Sequence, residues 1–244
     1  MLKKTILYLI VLSMFIGACS SLSEEQKYDT YAIENLDEMS EMIGELSSCS
    51  YTLNTTINKL DESDDLINNI RKHDVYMRGP DKLYIHSSGT LGKKSYWYNG
   101  SRFSCFSYEE SAFDTIPVRG NVLEAMDYIH HKFGIDFPAA DFFYPSLTDD
   151  LMKNFNSVLY IGDDNKNGMT YIVIEASNKN KTLEIWIEKE SLLPYKLSMK
   201  SNDDSGISYE GIFSNWRVDP YLPDMLFEYK PSANSKRKNL PSLK

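Results

Sequence analysis

The stretch that decides the fold is Thr182-Leu183-Glu184-Ile185-Trp186-Ile187-Glu188, followed after a short break by Tyr195-Lys196-Leu197-Ser198-Met199-Lys200. In the first run, Leu183, Ile185 and Ile187 alternate with Glu184, Trp186 and Glu188. In the second, Tyr195, Leu197 and Met199 alternate with Lys196, Ser198 and Lys200. A period of two places alternate side chains on opposite faces of a strand, so each run has one buried and one wet face. Two such runs in succession point to an antiparallel sheet with a core on one side only.

The same pattern extends in both directions. Upstream, strands are expected over 50–60, 66–78, 82–88, 94–98, 102–108 and 112–117. Downstream of a helical interlude they are expected over 157–161, 169–176, 182–188, 195–200, 207–218 and 226–229. Asn99-Gly100 lies between two aromatic-rich runs and reads as a hairpin, because both residues tolerate positive φ. Asp163–Gly168, Ser177–Lys181 and Asn202–Gly206 read as polar hairpin loops. Asp61–Asp65 is a charged loop without the ligand spacing of a calcium site.

Three segments carry a helical period instead. Leu36, Met39, Ile43 and Leu46 form one stripe of a helix over 32–46. Val122, Met126, Ile129 and Phe133 share a face of a second helix, capped by Asn121 and ended by Gly134. A short apolar piece over 139–144 follows, then a third helix that Thr148 caps, running to Phe155. A sheet of about a dozen strands must curl, and each helix has an apolar face that needs cover. The expected fold is therefore α+β and mostly β: a curled antiparallel sheet, an incomplete barrel, with helices plugging its concave face.

The start of the chain has a different character. Lys3 and Lys4 precede an apolar run from Ile6 to Ile16, which ends in Ile16-Gly17-Ala18-Cys19. The tetrapeptide resembles the lipobox of bacterial lipoproteins, with cleavage between Ala18 and Cys19 and a diacylglyceryl thioether on Cys19. A membrane span needs about 20 apolar residues, and this run is shorter. The resulting division is a leader over 1–18, a polar tether over 19–31, a domain over 32–231 and a polar tail over 232–244, read as frayed. The implied location is the bacterial cell envelope, lipid-anchored, at the outer membrane facing the periplasm.

Composition narrows the function. The 244 residues have a net charge of −9 and 42% hydrophobic residues. Loss of Lys3 and Lys4 with the leader makes the remainder more acidic still. Such a protein has no electrostatic footprint for nucleic acid or an anionic bilayer, so its membrane hold must come from the lipid on Cys19. Cys49 and Cys105 remain. They can bridge in an oxidising compartment, but several strands separate them, and the reading is two buried free thiols. His73, His86, His130 and His131 show no metal-ligand spacing; adjacent His130 and His131 diverge by about 100° on a helix. No nucleophile elbow, P-loop or dinucleotide fingerprint occurs. Neither an enzyme nor a cofactor is expected.

A set of ordered motifs adds to this reading: Arg78-Gly79-Pro80-Asp81-Lys82-Leu83, Tyr96-Trp97-Tyr98-Asn99-Gly100, Gly134-Ile135-Asp136-Phe137-Pro138-Ala139-Ala140-Asp141-Phe142, Tyr160-Ile161-Gly162, Ile185-Trp186-Ile187, Leu193-Pro194-Tyr195-Lys196-Leu197, Asn215-Trp216 and Phe227-Glu228-Tyr229-Lys230-Pro231. Together, over roughly residues 35–232, they resemble a family of predicted periplasmic lipoproteins of unknown function, itself similar to the LolA/LolB lipoprotein-carrier superfamily. The resemblance implies a cavity that takes an acyl chain or other hydrophobic ligand, with a role in lipoprotein or lipid handling. The residues expected at that cavity are Leu83, Ile85, Ile174, Ile185, Leu197, Met199, Met126 and Ile129. The aromatic strands Tyr96–Tyr98 and Phe103–Tyr108 fit either a cavity wall or plain core. The alternative is an envelope sensor or interaction module resembling RseB, with a protein partner. In the carriers an Arg-Pro pair helps hold the closed state. Here Arg78-Gly79-Pro80 interrupts that pair, and a one-residue shift in a strand reverses a side chain's face, so the opening mechanism is not carried over.

Overall fold

Strand β2 (Ser48–Leu60) enters the concave core with Cys49, Tyr51 and Leu53 and pairs along its whole length with β3 (Leu66–Arg78). The computed structural model describes residues 26–61, 63–137 and 139–241. The leader and lipobox, with Ala18 and Cys19, fall outside the described residues, as do Glu62 and Pro138.

From β3 a meander continues through β4 (Lys82–Gly89), β5 (Lys94–Tyr98), β6 (Arg102–Ser107) and β7 (Ala112–Pro117). A helical insert follows, and a second meander runs through β8 (Ser157–Lys166), β9 (Met169–Ser177), β10 (Lys181–Glu188), β11 (Pro194–Ser201) and β12 (Ser208–Val218). β12 then pairs with β2 and joins the two meanders into one sheet. Short parallel strands β1 (Lys27–Tyr28) on β8 and β13 (Lys236–Arg237) on β7 complete it. Among the described residues the sheet has 13 strands in an open order, from β1 to β13, and does not close.

The helices are α1 (Thr30–Glu45), α2 (Val122–Phe133) and α3 (Leu147–Asn154), with a 3-10 turn at Ala140–Phe143. α1 buries Ala32, Leu36, Met39 and Ile43; α2 buries Val122, Ala125, Met126 and Ile129. Both stripes join one core with Leu53, Val75, Leu83, Tyr98, Phe103 and Ile185. α2 is delimited as its residues require. Asn121 accepts from the Glu124 amide while the Glu124 carboxylate accepts from the Asn121 amide, and Gly134 ends the helix at φ 63°. This reciprocal cap satisfies two amides that a helix start leaves unpaired.

Several expectations are corrected. The expected tether over 19–31 is ordered from Lys27, where β1 pairs with Ser157 and Val158, and Asp29 caps α1 by accepting from the Tyr31 and Ala32 amides. Thr148 lies inside α3; Ser146 takes the position before the helix, and the Thr148 hydroxyl is buried without a hydrogen-bond partner among the described residues. The expected strand over 226–229 is replaced by a 3-10 turn at Asp224–Phe227. Arg78, on the convex face, holds that turn by donating to the Leu222 carbonyl (2.6 Å) and the Asp224 carboxylate and by standing over the Phe227 ring. The tail is not frayed throughout: Arg237 pairs with buried Asp114 (3.4 Å), and the Leu240 amide donates to the same carboxylate (2.9 Å).

The hairpins differ in detail too. At Asn99-Gly100 only the glycine takes positive φ (87°), while the Asn99 side chain accepts from the Ser101 and Arg102 amides. The two-residue turn with positive φ at both positions is Asn167-Gly168 (56° and 82°), so the expected loop at 163–168 is strand as far as Lys166. In β11 the alternation breaks at Tyr195. A bulge sets Trp186 against Lys196 and Ile187 against Pro194. The Tyr195 ring therefore turns to the convex face, 4.2 Å from that of Tyr171, rather than joining Leu197 and Met199.

Candidate functional site

The deciding strands build the wall of a cavity. Ile185 on β10 pairs with Leu197 on β11, and Leu183 with Met199. Opposite them stand α2, the 3-10 turn and α3. Between the two layers is a cavity of about 750 Å3. The sheet contributes Leu183, Ile185, Leu197, Met199 and Tyr209; the helical side contributes Met126, Phe137, Phe142, Leu151 and Phe155 among others. This volume falls in the range of small-molecule sites, and its walls are mostly apolar, as such sites are.

The rim is polar and acidic. Asp127, Asp136, Asp141 and Asp150 border the cavity with His130 and Lys181. His130 Nδ1 lies 3.0 Å from an Asp136 carboxylate oxygen, and the Tyr144 hydroxyl donates to Asp127 (2.6 Å). Burial first, and then the Asp127 hydrogen bond, push the Tyr144 phenol well above its ordinary range. Tyr209 lies deeper. Burial and the nearby Asp141 charge raise its phenol as well, and its hydroxyl has no hydrogen-bond partner among the described residues.

A second, much smaller space of about 20 Å3 lies beside the first, lined by Leu53, His73, Val75, Leu83, Ile85 and Met126 among others. It has room for about one water. The expected cavity residues therefore divide. Ile185, Leu197, Met199 and Met126 line the large cavity, and Leu83, Ile85 and again Met126 the small one. Ile174 and Ile129 are wholly buried in the core and line neither. Of the aromatic strands, Tyr98 and Phe103 are core, and Trp97 and Phe106 lie on the convex face against Tyr229. Sequence reading missed Tyr209, Phe137 and the α3 residues. Leu151 and Phe155, four apart, were the available signal for α3.

The remaining reactive groups are quiet. Cys49 and Cys105 are free and buried. β3, β4 and β5 separate their strands, which places them about 19 Å apart along a sheet with strands spaced about 4.8 Å. Burial pushes the Cys49 thiol up to about 12 and the Cys105 thiol up to about 11, so neither is a nucleophile near neutral pH. His73 is buried between the hydroxyls of Thr55 (3.2 Å) and Ser87 (2.7 Å), and burial and the Arg71 charge lower it to about 4. Among the described residues no group of three or more His, Cys, Asp or Glu is arranged to hold a metal ion. No helix among them is long and apolar enough to cross a membrane.

Several solved structures are similar to this chain. An uncharacterized conserved protein from Thermus thermophilus superposes with a TM-score of 0.50 at 11% identity, covering 85% of this chain and 99% of that one. LprF from Mycobacterium bovis gives 0.46 at 11% identity, with 79% and 97% covered. A LolA superfamily protein, NE2245 from Nitrosomonas europaea, gives 0.35 at 12% identity, with 81% and 97% covered. At 11% identity the likeness to the Thermus thermophilus protein is one of fold. No curated protein sequence matches the chain. The family model described as "Predicted periplasmic protein (DUF2092)" matches residues 32–239, from within α1 through both meanders to β13, and the chain belongs to that family.

Proposed function

We propose that this is a lipid-anchored protein of the cell envelope, held at the outer membrane facing the periplasm through Cys19, whose cavity receives an acyl chain or a similar hydrophobic ligand in lipoprotein or lipid handling. The observation that carries the reading is the 750 Å3 space between the concave sheet and the helices. Protein interiors pack to crystal-like density, whereas here apolar side chains of the sheet and the helices face one another across a space that opens to solvent at a polar rim, and so lack packing partners. Burying a twelve-carbon chain gains roughly 10 kcal/mol at about 0.8 kcal/mol per methylene. The loss of rigid-body freedom opposes this by about 4–15 kcal/mol, so the expected complex is reversible, as handling requires. The role proposed is binding and not catalysis, in keeping with the buried, protonated thiols.

Saturable binding of an environment-sensitive fatty-acid probe, displaced by a native lipid, tests the reading. Leu197→Asp sets a carboxylate beside the chain and is expected to weaken binding about tenfold or more with the melting temperature preserved. Absence of saturable binding to the unmutated protein would refute the reading and favour an interaction module. For the anchor, Cys19→Ala should abolish both lipid attachment and leader cleavage; a variant still processed and detergent-soluble like the parent would refute that part.

A further inference from the structure

The apolar wall of the cavity continues sideways into a charged end. One row of paired residues crosses the sheet: Ile174, Ile185, Leu197, Gly211, Thr55, Arg71 and Gly89, on β9, β10, β11, β12, β2, β3 and β4. These residues share a face, since directly paired residues project to the same side. Ile185 and Leu197 line the cavity, and Arg71 stands three strands beyond Leu197, on the order of 14 Å away.

A glycine occupies the middle of this row. At Gly211 a Cβ would meet the Tyr209 hydroxyl at 2.8 Å and Leu53 at 3.2 Å. The Tyr209 phenol therefore lies over Gly211, inside the row. Its hydroxyl is buried without a hydrogen-bond partner among the described residues, and so are Nε and Nη2 of Arg71. Buried polar atoms are paired in the great majority of cases, and each exception calls for an explanation. Here the exceptions collect on one stretch of the concave wall: a phenol and two guanidinium nitrogens, all able to donate.

The charges around the cavity are also unevenly placed. Asp127, Asp136, Asp141 and Asp150 border its helical side. Beyond the residues that line the cavity, on the β3–β5 side, stand Arg71, whose charge acts on His73 and Tyr96, and Lys94, whose charge acts on Cys105; Asp74 acts on His73 and Asp114 on Cys105 with the opposite sign. Lys181 and His130 share the acidic border, and the Asp141 charge reaches Tyr209, so attraction for an anion in this region comes from Arg71.

We propose that Arg71, with the Tyr209 hydroxyl, binds the anionic oxygens of an amphiphile whose alkyl chain lies against Ile185 and Leu197. The ligand class is an alkyl chain ending in an oxyacid, either a lipid phosphate or a fatty-acid carboxylate; the guanidinium fork matches both. This inference rests on the acyl-chain reading above and adds the headgroup to it.

The test uses the full chain in non-ionic detergent at mildly alkaline pH and three amphiphiles of equal chain length: dodecyl phosphate, dodecanoate and dodecanol. Binding is measured by titration against protein-free micelles. At least one anion is expected to bind about tenfold tighter than dodecanol, the loss expected when a charged hydrogen bond is removed. Preference for the phosphate alone assigns a phospholipid-like source, and for the carboxylate alone a free fatty acid. Arg71→Met should bring the anions to the affinity of dodecanol and leave dodecanol unchanged, and Arg71→Lys should retain part of the preference. Equal binding of all three by the unmutated protein overturns the headgroup site while the acyl-chain reading stands. A preference undiminished in Arg71→Met overturns it as well. Failure of all three to bind removes both. The ranking in the unmutated protein decides the matter even where a variant does not fold.

Discussion

The concave wall holds a histidine that stability measurements can interrogate directly. His73 is 3% exposed and sits between Thr55 and Ser87 with the Arg71 charge nearby. Asp74, next in sequence, acts weakly the other way, and the balance holds the imidazole at about 4 against its ordinary 6.5. As pH falls through 6.5 the unfolded imidazole takes up a proton, whereas the folded one resists until about 4. The unfolded state therefore binds more protons in this window, and stability declines as pH falls. From the two values, the loss due to His73 between about pH 7.5 and pH 4.5 is about 2.5 kcal/mol, a large part of the 5–15 kcal/mol typical of a domain. Urea unfolding of the parent and His73→Gln at both pH values isolates this contribution, because the titration of the carboxylates is common to both proteins. The variant is expected to be less stable at pH 7.5, where it lacks the paired hydrogen bonds, and the gap should shrink by about 2.5 kcal/mol at pH 4.5. A gap constant to within about 0.5 kcal/mol would refute the claim that the fold holds this imidazole neutral.

Three further outcomes follow from the geometry. Asn121→Ala removes the acceptor half of the α2 cap and should cost about 1 kcal/mol in urea unfolding, whereas Asn121→Ser should restore most of it. Non-reducing peptide mapping of the envelope form should recover Cys49 and Cys105 as separate peptides, and a crosslinked pair would contradict the strand order. Gly100→Ala should destabilise by more than about 1 kcal/mol, because its φ of 87° disfavours any Cβ and the Asp81 carboxylate occupies that position; an unchanged melting temperature would refute this.

The sequence carried the strands well because each meander strand is wet on one face, and alternation reads that contrast directly. It carried α2 for the same kind of reason: Asn121, Glu124 and Gly134 act within a few residues of one another. What it did not carry depends on distant partners. Tyr195 alternates correctly, yet the bulge opposite Trp186 turns it outward. Leu226–Tyr229 has strand-like composition, but Arg78, far away in sequence, ties this segment into a turn. Lys236 and Arg237 look like a solvated tail because Asp114, which holds Arg237, belongs to another strand. At the cavity, apolar alternation identified Ile185, Leu197 and Met199 but could not separate them from Ile174, because a cavity wall and a filled core share one pattern. Arg71 was passed over for a related reason: a lone basic residue in a strand reads as solvated until its neighbours are known.

The unclosed order of the sheet leaves two edge strands among the described residues, each a potential template for another copy of the chain. Both edges are blunted by independent means. On one side β1 covers Ser157 and Val158. Just beyond, the bulge at Ile161 and Gly162 breaks the ladder, and Asp163, Asp164 and Lys166 follow along the remaining edge. On the other side β13 covers Ala112 and Phe113, and the short β7 ends in Pro117. Short cover strands, a bulge, charges and a proline are the devices by which open sheets resist edge-to-edge aggregation. The two-residue strands thus cap part of each border, and the first and last described segments of the chain take up backbone groups that an open sheet would otherwise offer to another chain.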